Sequence, residues 1–238
     1  MGGWISWREP PIVTATVGAR CSDGIVIVAD KLVTDEKHEL KEYHDKLSYD
    51  IAHVITAYAG SENLFKAFRE QLTYDVNRSQ GISEQYTYDN AVPKLATMIT
   101  KLHKQLGDGR YTTEVLVGIH PKMELGWIDS EGHYSQAVYV ARGSGKEIVN
   151  EFCGSLNYPQ LKMKDFAKLA YAAIMYIERY IPQLYVGVGP EQPTVHYLPY
   201  DSEWDKAAPN SDMDFFRRHT NEKLKEHDAR LRDFINSL

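Results

Sequence analysis

The chain is predicted to be a mixed α+β protein in which two antiparallel sheets lie between helical layers. Three observations carry that expectation. Apolar residues alternate with tight turns as far as Gly60, and after Ser61 the apolar period lengthens to that of a helix. Strand-like and helical stretches then arrive in groups: strands, two helices, strands, two helices, strand.

The first two strands are expected at Thr14–Arg20 and Gly24–Asp30, joined by a turn at Ser22–Gly24. A second pair, Lys46–Asp50 and His53–Ala59, flanks a short turn near Ile51. Leu64, Phe65, Phe68 and Leu72 then fall at helical spacing, with Ser61 and Glu62 as the start signal. A second helix is expected over Tyr88–Leu106, with Pro93 tolerated in its first turns and Gly107–Gly109 ending it. Strands return at Thr113–His120, Met123–Ile128 and Gln136–Arg142, the last two linked through Asp129–Gly132. Helices follow at Lys146–Leu156 and Lys164–Tyr180, the second stopping before Pro182, and Thr194–Leu198 is the last strand.

Beyond Ser202, the stretch Pro209–Ser211 precedes a charged helix. Met213, Phe216, Leu224, Leu231, Phe234 and Leu238 recur there at spacings compatible with one apolar stripe. Two placements are open: against the protein's own helical layer, or around a neighbouring subunit.

At 238 residues the chain is long enough for a substantial core, and its 43% hydrophobic and 25% charged residues are ordinary for a soluble protein. A net charge of −6 argues against nucleic acid as a partner, since phosphate contacts need a basic face. No apolar run approaches the roughly 20 residues that cross a bilayer, so no membrane partner is expected. Cys21 and Cys153 show no metal-ligand spacing, and the histidines show none either; no metal, cofactor or disulfide framework is expected, and the cytoplasm is the natural location. The opening M-G-G-W-I-S fits the myristoylation pattern, but so short a pattern recurs by chance and Gly2 is read as ordinary. R-G-S-G-K at Arg142–Lys146 hints at a phosphate loop; Glu147 stands where that loop needs Ser or Thr, and the loop is too short.

Thr14, Asp30, Lys46 and Gly60 form a ladder of hydroxyl, carboxylate, ammonium and glycine turn at nearly even intervals. The blocks around them, V-T-A-T-V-G-A-R-C-S-D-G-I-V-I-V-A-D-K from Val13, Y-H-D-K-L-S-Y-D from Tyr43 and V-I-T-A-Y-A-G-S from Val54, closely resemble the proteasome β-subunit family in a prokaryotic-type form. Members of that family are threonine hydrolases of the N-terminal-nucleophile class. The resemblance runs from Val13 to Tyr200 and implies a four-layer αββα sandwich of two antiparallel sheets plus a C-terminal helix. It divides the chain into a leader at residues 1–13, a proteasome-like domain at residues 14–200 and a charged helical extension at residues 201–238.

The same resemblance implies roles. Thr14 is the nucleophile, its own freed α-amine the base, Lys46 the cation favouring the alkoxide, and Asp30 its orienting partner. The Gly60 N–H stabilises the oxyanion. Ser144, in A-R-G-S-G at Ala141–Gly145, sits beside the threonine amine. Val33 and Tyr58 are expected as walls of the pocket for the residue before the scissile bond, with Glu62 nearby, and bulky Tyr58 implies a small side chain there. Partners implied are a polypeptide or peptide substrate, a homo-oligomeric ring and an unfoldase.

Two departures stand out. Val13 precedes Thr14 where the family has glycine, and a β-branched residue crowds attack on its own carbonyl. After the last long helix, Tyr180, Gln183 or Tyr185 fall where the family carries an aspartate and a serine. Three readings follow. The first is an amide-bond hydrolase freed by removal of residues 1–13. The second is a ring or scaffold protein that keeps its leader, and the third is an acyl transferase.

Overall fold

The computed structural model describes residues 15–34, 41–43, 45–51, 54–60, 62–78, 90–106, 113–120, 122–180, 193–200, 206–207 and 209–237. Alternation in β1 (Thr16–Cys21) and β2 (Gly24–Ala29) sends alternate side chains to opposite faces of a sheet buried on both sides. Ala15, Val17, Ala19 and Cys21 join Val26 and Val28 under helices, while Ile25, Ile27 and Ala29 face the second sheet. β5 (Leu47–Ile51), β6 (Val54–Ala59) and β7 (Glu114–Ile119) obey the same rule. Ile55, Ala57 and Leu116 point between the sheets, and Val54, Tyr58, Val115, Val117 and Ile119 point towards helices.

Two five-stranded antiparallel sheets result. Adding β8 (Glu124–Ile128), β9 (Tyr134–Gln136), β10 (Tyr139–Arg142), β11 (Thr194–Pro199) and β12 (Lys206–Ala207), the first sheet is ordered β10-β1-β2-β11-β12 and the second β5-β6-β7-β8-β9. A two-stranded ribbon of β3 (Leu32–Thr34) and β4 (Lys41–Tyr43) stands apart. Helices α1 (Glu62–Arg78) and α2 (Ala91–Leu106) cover the second sheet; α3 (Lys146–Cys153) and α4 (Met163–Tyr180) cover the first. This is the αββα sandwich of the N-terminal-nucleophile hydrolase fold, with three apolar layers where four structural layers meet.

The predicted strand Gln136–Arg142 is two strands in two different sheets. The Ala137 N–H donates to the Leu125 carbonyl in the second sheet at 2.8 Å, and the Arg20 N–H donates to the Val138 carbonyl from the first at 2.8 Å. Adjacent peptides thus satisfy opposite layers, and the chain crosses between them. The helix expected to reach Leu156 stops at Cys153, where the Gly154 N–H caps Asn150 at 2.7 Å before a 3-10 turn at Tyr158–Gln160. The start expected at Tyr88 lies outside the described residues. Cys21 and Cys153 are buried free thiols, and burial pushes both up to about 12.

Helix α5 (Asn210–Ser237) lies on α4. Phe216 is fully buried, its ring 6.0 Å from that of Tyr171; Leu224 is buried and Met213 packs on the same core. Over this stretch the stripe faces the protein's own helical layer; the side chains of Leu231, Phe234 and Leu238 lie outside the described residues. Polar clasps flank it. Lys164 Nζ reaches Asp212 Oδ1 at 2.5 Å, Arg179 pairs with Asp228, and the Tyr180 hydroxyl donates to the Leu224 carbonyl at 3.1 Å and to Asp228. Truncating Phe216 to alanine removes the largest buried side chain of α5 among the described residues. The expected loss is about 3–5 kcal/mol, roughly 10 °C in thermal midpoint, read by calorimetry; an unchanged midpoint would show that α5 does not contribute to the core.

Candidate active site

Strand register brings one end of each sheet together. β1 starts where β2 ends, because Thr16 pairs with Ala29, and β10 ends beside them, because Thr16 also pairs with Arg142. Opposite, β5 begins where β6 ends, and β6 ends where β7 begins, Ala59 facing Glu114. The sequence-predicted residues Asp30, Lys46, Gly60 and Ser144 all occupy this end, each just before or just after a strand.

At its centre, Asp30 grips the start of β1 twice. Its N–H donates to the Ala15 carbonyl at 3.0 Å, and its Oδ1 accepts the Ala15 N–H at 2.9 Å. Its other carboxylate oxygen takes Lys46 Nζ at 2.7 Å, and both side chains are only 1% exposed. Lys46 in turn accepts the Tyr58 N–H on its carbonyl at 3.2 Å, two residues before Gly60. A continuous path therefore runs from the residue after Thr14, through Asp30 and Lys46, to the strand that carries Gly60. Thr14 itself lies outside the described residues.

Gly60 has φ +126°, a conformation L side chains rarely adopt, as the strand turns into α1. Ser144 is half-buried in the turn between β10 and α3. That turn is built on Gly143 at φ +90° and closed by the Lys146 N–H donating to the Gly143 carbonyl at 3.2 Å. Tyr58 is buried with its ring stacked on Phe65 of α1, centroids 3.9 Å apart, on the helix-facing side of the second sheet. Val33 belongs to β3 and Glu62 opens α1; their side chains lie outside the described residues. Tyr180, one of three residues at the position of the family's aspartate and serine, directs its hydroxyl to α5. Gln183 and Tyr185 fall outside the described residues.

Sequence reasoning missed Thr16, Glu114, Trp127 and Arg142 at this end. Thr16 is fully buried and its hydroxyl oxygen has no hydrogen-bond partner among the described residues. Arg142 lies over Trp127 and against Glu114. No local signal links these residues, because their contacts join strands of different sheets. Among the described residues no group of three or more His, Cys, Asp or Glu could hold a metal ion, and no helix is long and apolar enough to cross a membrane.

Electrostatically the pair is a compromise. Burial pushes the Asp30 carboxyl above its ordinary value, while the Lys46 ammonium and the Ala15 N–H pull it back. A buried ammonium aligned by a carboxylate favours any anion that develops beside it, and the water-excluded setting strengthens that effect.

The four-layer sandwich of two antiparallel sheets between helices is the N-terminal-nucleophile hydrolase fold. The model of the proteasome subunit family matches residues 13–179, and the chain belongs to that family. It is 27% identical over 166 residues to a proteasome subunit alpha of Thermococcus sibiricus, a match covering 66% of this chain and 61% of that relative. It is 29% identical over 167 residues to a proteasome subunit beta 2 of Pyrococcus abyssi, covering 68% and 77%. Among solved structures it is similar to an Anbu (Gly-1) mutant from Hyphomicrobium sp. strain MC1, with a TM-score of 0.69 at 14% identity over 94% of this chain and 97% of that one. At that identity the likeness speaks for the fold. Family membership places the chain, at that level, among threonine-protease-like hydrolases.

Two expectations follow from the pair. Lys46→Met strands a buried carboxylate and should cost about 3–5 kcal/mol in denaturant unfolding. Adding Asp30→Asn should restore part of that loss; a double variant showing the sum of the two single losses would count against a coupled pair. Because burial raises the Asp30 carboxyl, acidification protonates it before an exposed aspartate, in a window above the ordinary 3.8. Its neutral form is therefore relatively favoured by the fold, a contribution present below the unfolded value and lost as pH rises through the folded one. Carbon-13 NMR of the Asp30 carboxyl should show that midpoint above 3.8, and one below it would overturn the assignment.

Proposed function

We propose that this chain is a threonine-type amide-bond hydrolase, a peptidase acting on polypeptides in the cytoplasm. One observation carries the reading: the Asp30 carboxylate holds the Ala15 N–H and the Lys46 ammonium at once, at 2.9 and 2.7 Å, on the residue that follows Thr14. Thr14 is the nucleophile. Removal of the leader, residues 1–13, leaves its α-amine free to accept the hydroxyl proton, and Lys46, oriented by Asp30, favours the alkoxide. The oxygen then adds to the substrate carbonyl. Collapse of the tetrahedral intermediate expels the amine, which takes up the proton, and water hydrolyses the resulting ester.

The Gly60 N–H is the oxyanion donor, a contribution worth roughly 3 kcal/mol where such donors have been removed. Ser144 takes, by the family resemblance, the role of supporting the threonine amine. Val33 and Tyr58 wall the pocket for the residue before the scissile bond, with Glu62 nearby, and bulky Tyr58 favours a small substrate side chain. Assembly into a homo-oligomeric ring, with an unfoldase delivering substrate, completes the reading. Residues 14–200 form the catalytic unit and residues 201–238 the helical extension.

A second reading, a scaffold that retains its leader, is favoured by one observation: the hydroxyl of Tyr180, one of three residues that fall where the family carries its acid and serine, is engaged by Leu224 and Asp228 of α5. Intact mass of the purified protein separates the two. Loss of residues 1–13 in the wild type, abolished by Thr14→Ala, is the expected outcome, with a threonine-directed electrophile then adding once. A full-length mass under all conditions and no adduct would establish the scaffold. Products joined to added amines would move the reading to acyl transfer.

A further inference from the structure

We propose that Arg142 and Glu114 are positioning residues: a second ionic tie between the sheets that holds the Ser144 turn and the Gly60 loop at a fixed separation beside the start of β1. The proposal rests on the peptidase reading above and adds to it the device that sets the width of the site.

Arg142 is the last residue of β10 in the first sheet, Glu114 the first of β7 in the second. Arg142 Nε lies 3.1 Å from Glu114 Oε1, and the guanidinium carbon sits 3.7 Å from the centre of the Trp127 ring on β8. Nη1 donates to the Ala141 carbonyl at 2.9 Å, folding the side chain back along its own strand. The guanidinium thus rests with one face on an aromatic ring and its Nε close to a carboxylate, a charge contact without the alignment of a hydrogen bond. Arginine performs this double task and lysine does not, since it needs a planar, delocalised cation.

Strand order explains why this contact bears on the site. In the first sheet β10, β1 and β2 are neighbours; in the second β5, β6, β7 and β8 follow in turn. Asp30 and Lys46 join β2 to β5. Arg142 joins β10 to β7 and β8. The two ties therefore bracket the start of β1 and the end of β6, where Ala15 and Gly60 lie. Arg142 pairs with Thr16 and is followed directly by Gly143–Ser144. Glu114 pairs with Ala59, the residue before Gly60. One contact thus fixes both flanks.

The side chains of this pair are 18% and 30% exposed, unlike the fully buried Asp30–Lys46 pair. Solvent screens such a pair, so global stability gains little from it. Placement gains more, since a shift of about 1 Å in a reacting group can change a rate by roughly 10²-fold.

The test uses the full chain in wild-type, Glu114→Gln and Arg142→Lys forms; the first substitution keeps the shape and drops the charge, the second keeps the charge and drops the planar stack. Hydrogen exchange should rise at least about fivefold at residues 59–60 and 143–146, with residues 15–17 and 46–48 unchanged. With a threonine-directed peptide electrophile, the limiting rate of Thr14 modification should fall roughly 10²-fold while its half-saturating concentration moves less than about threefold. A purely structural role would instead lower the thermal midpoint and leave the limiting rate intact. Unchanged exchange, or faster exchange with an unchanged rate in a reactive wild type, overturns the proposal. If wild type never reacts but exchange responds as stated, the peptidase reading falls and the tie stands. Should Arg142→Lys fail to fold, Glu114→Gln decides alone.

Discussion

The ion pair between Asp30 and Lys46 constrains everything at the open end of the sandwich. Each charge, removed from water, is penalised by several kcal/mol, and the attraction at 2.7 Å offsets this only with good geometry and further hydrogen bonds. Asp30 meets that condition by taking the Ala15 N–H on its second oxygen. Apolar residues of similar volume would serve stability at least as well. A pair retained under those terms is better understood through what it places than through what it stabilises. What it places is Ala15, the residue just before β1, relative to the strand that leads to Gly60.

The flanking architecture makes such a pair tolerable. Alternating apolar side chains seal the space between the sheets, with Ile25, Ile27, Ile55, Leu116 and Leu125 fully buried there. The charges sit at the edge of that layer rather than in its middle, where backbone groups leaving regular pairing supply donors and acceptors. Strand ends are therefore both the natural place for polar chemistry and the place where two sheets can contribute to it together. Arg142, Glu114 and Trp127 use the same opportunity a few strands away.

Much of this was legible in the residues. The strands β1, β2, β6 and β7 announce themselves as short, mostly apolar runs bounded by turns, and α1, α2 and α4 by apolar faces long enough for their period to be read. Asp30 and Lys46 were singled out through a resemblance in register, and their contact at 2.7 Å lies between strands that no local pattern connects. The ribbon of β3 and β4 escaped notice because three-residue strands carry no measurable period. The division of Gln136–Arg142 was hidden for a different reason: nothing in Ala137 or Val138 reveals that their backbone partners belong to separate layers. Likewise, the apolar stripe of α5 is visible in sequence, whereas the clasp of Asp228 on Arg179 and Tyr180 depends on how two helices cross.

The crossing at Ala137 and Val138 has a mechanical consequence. Neighbouring peptides are riveted to opposite sheets, one through Leu125 and one through Arg20, so sliding one sheet over the other would shear both bonds together. The sandwich is stitched there like the spine of a book, and its covers keep a constant gauge.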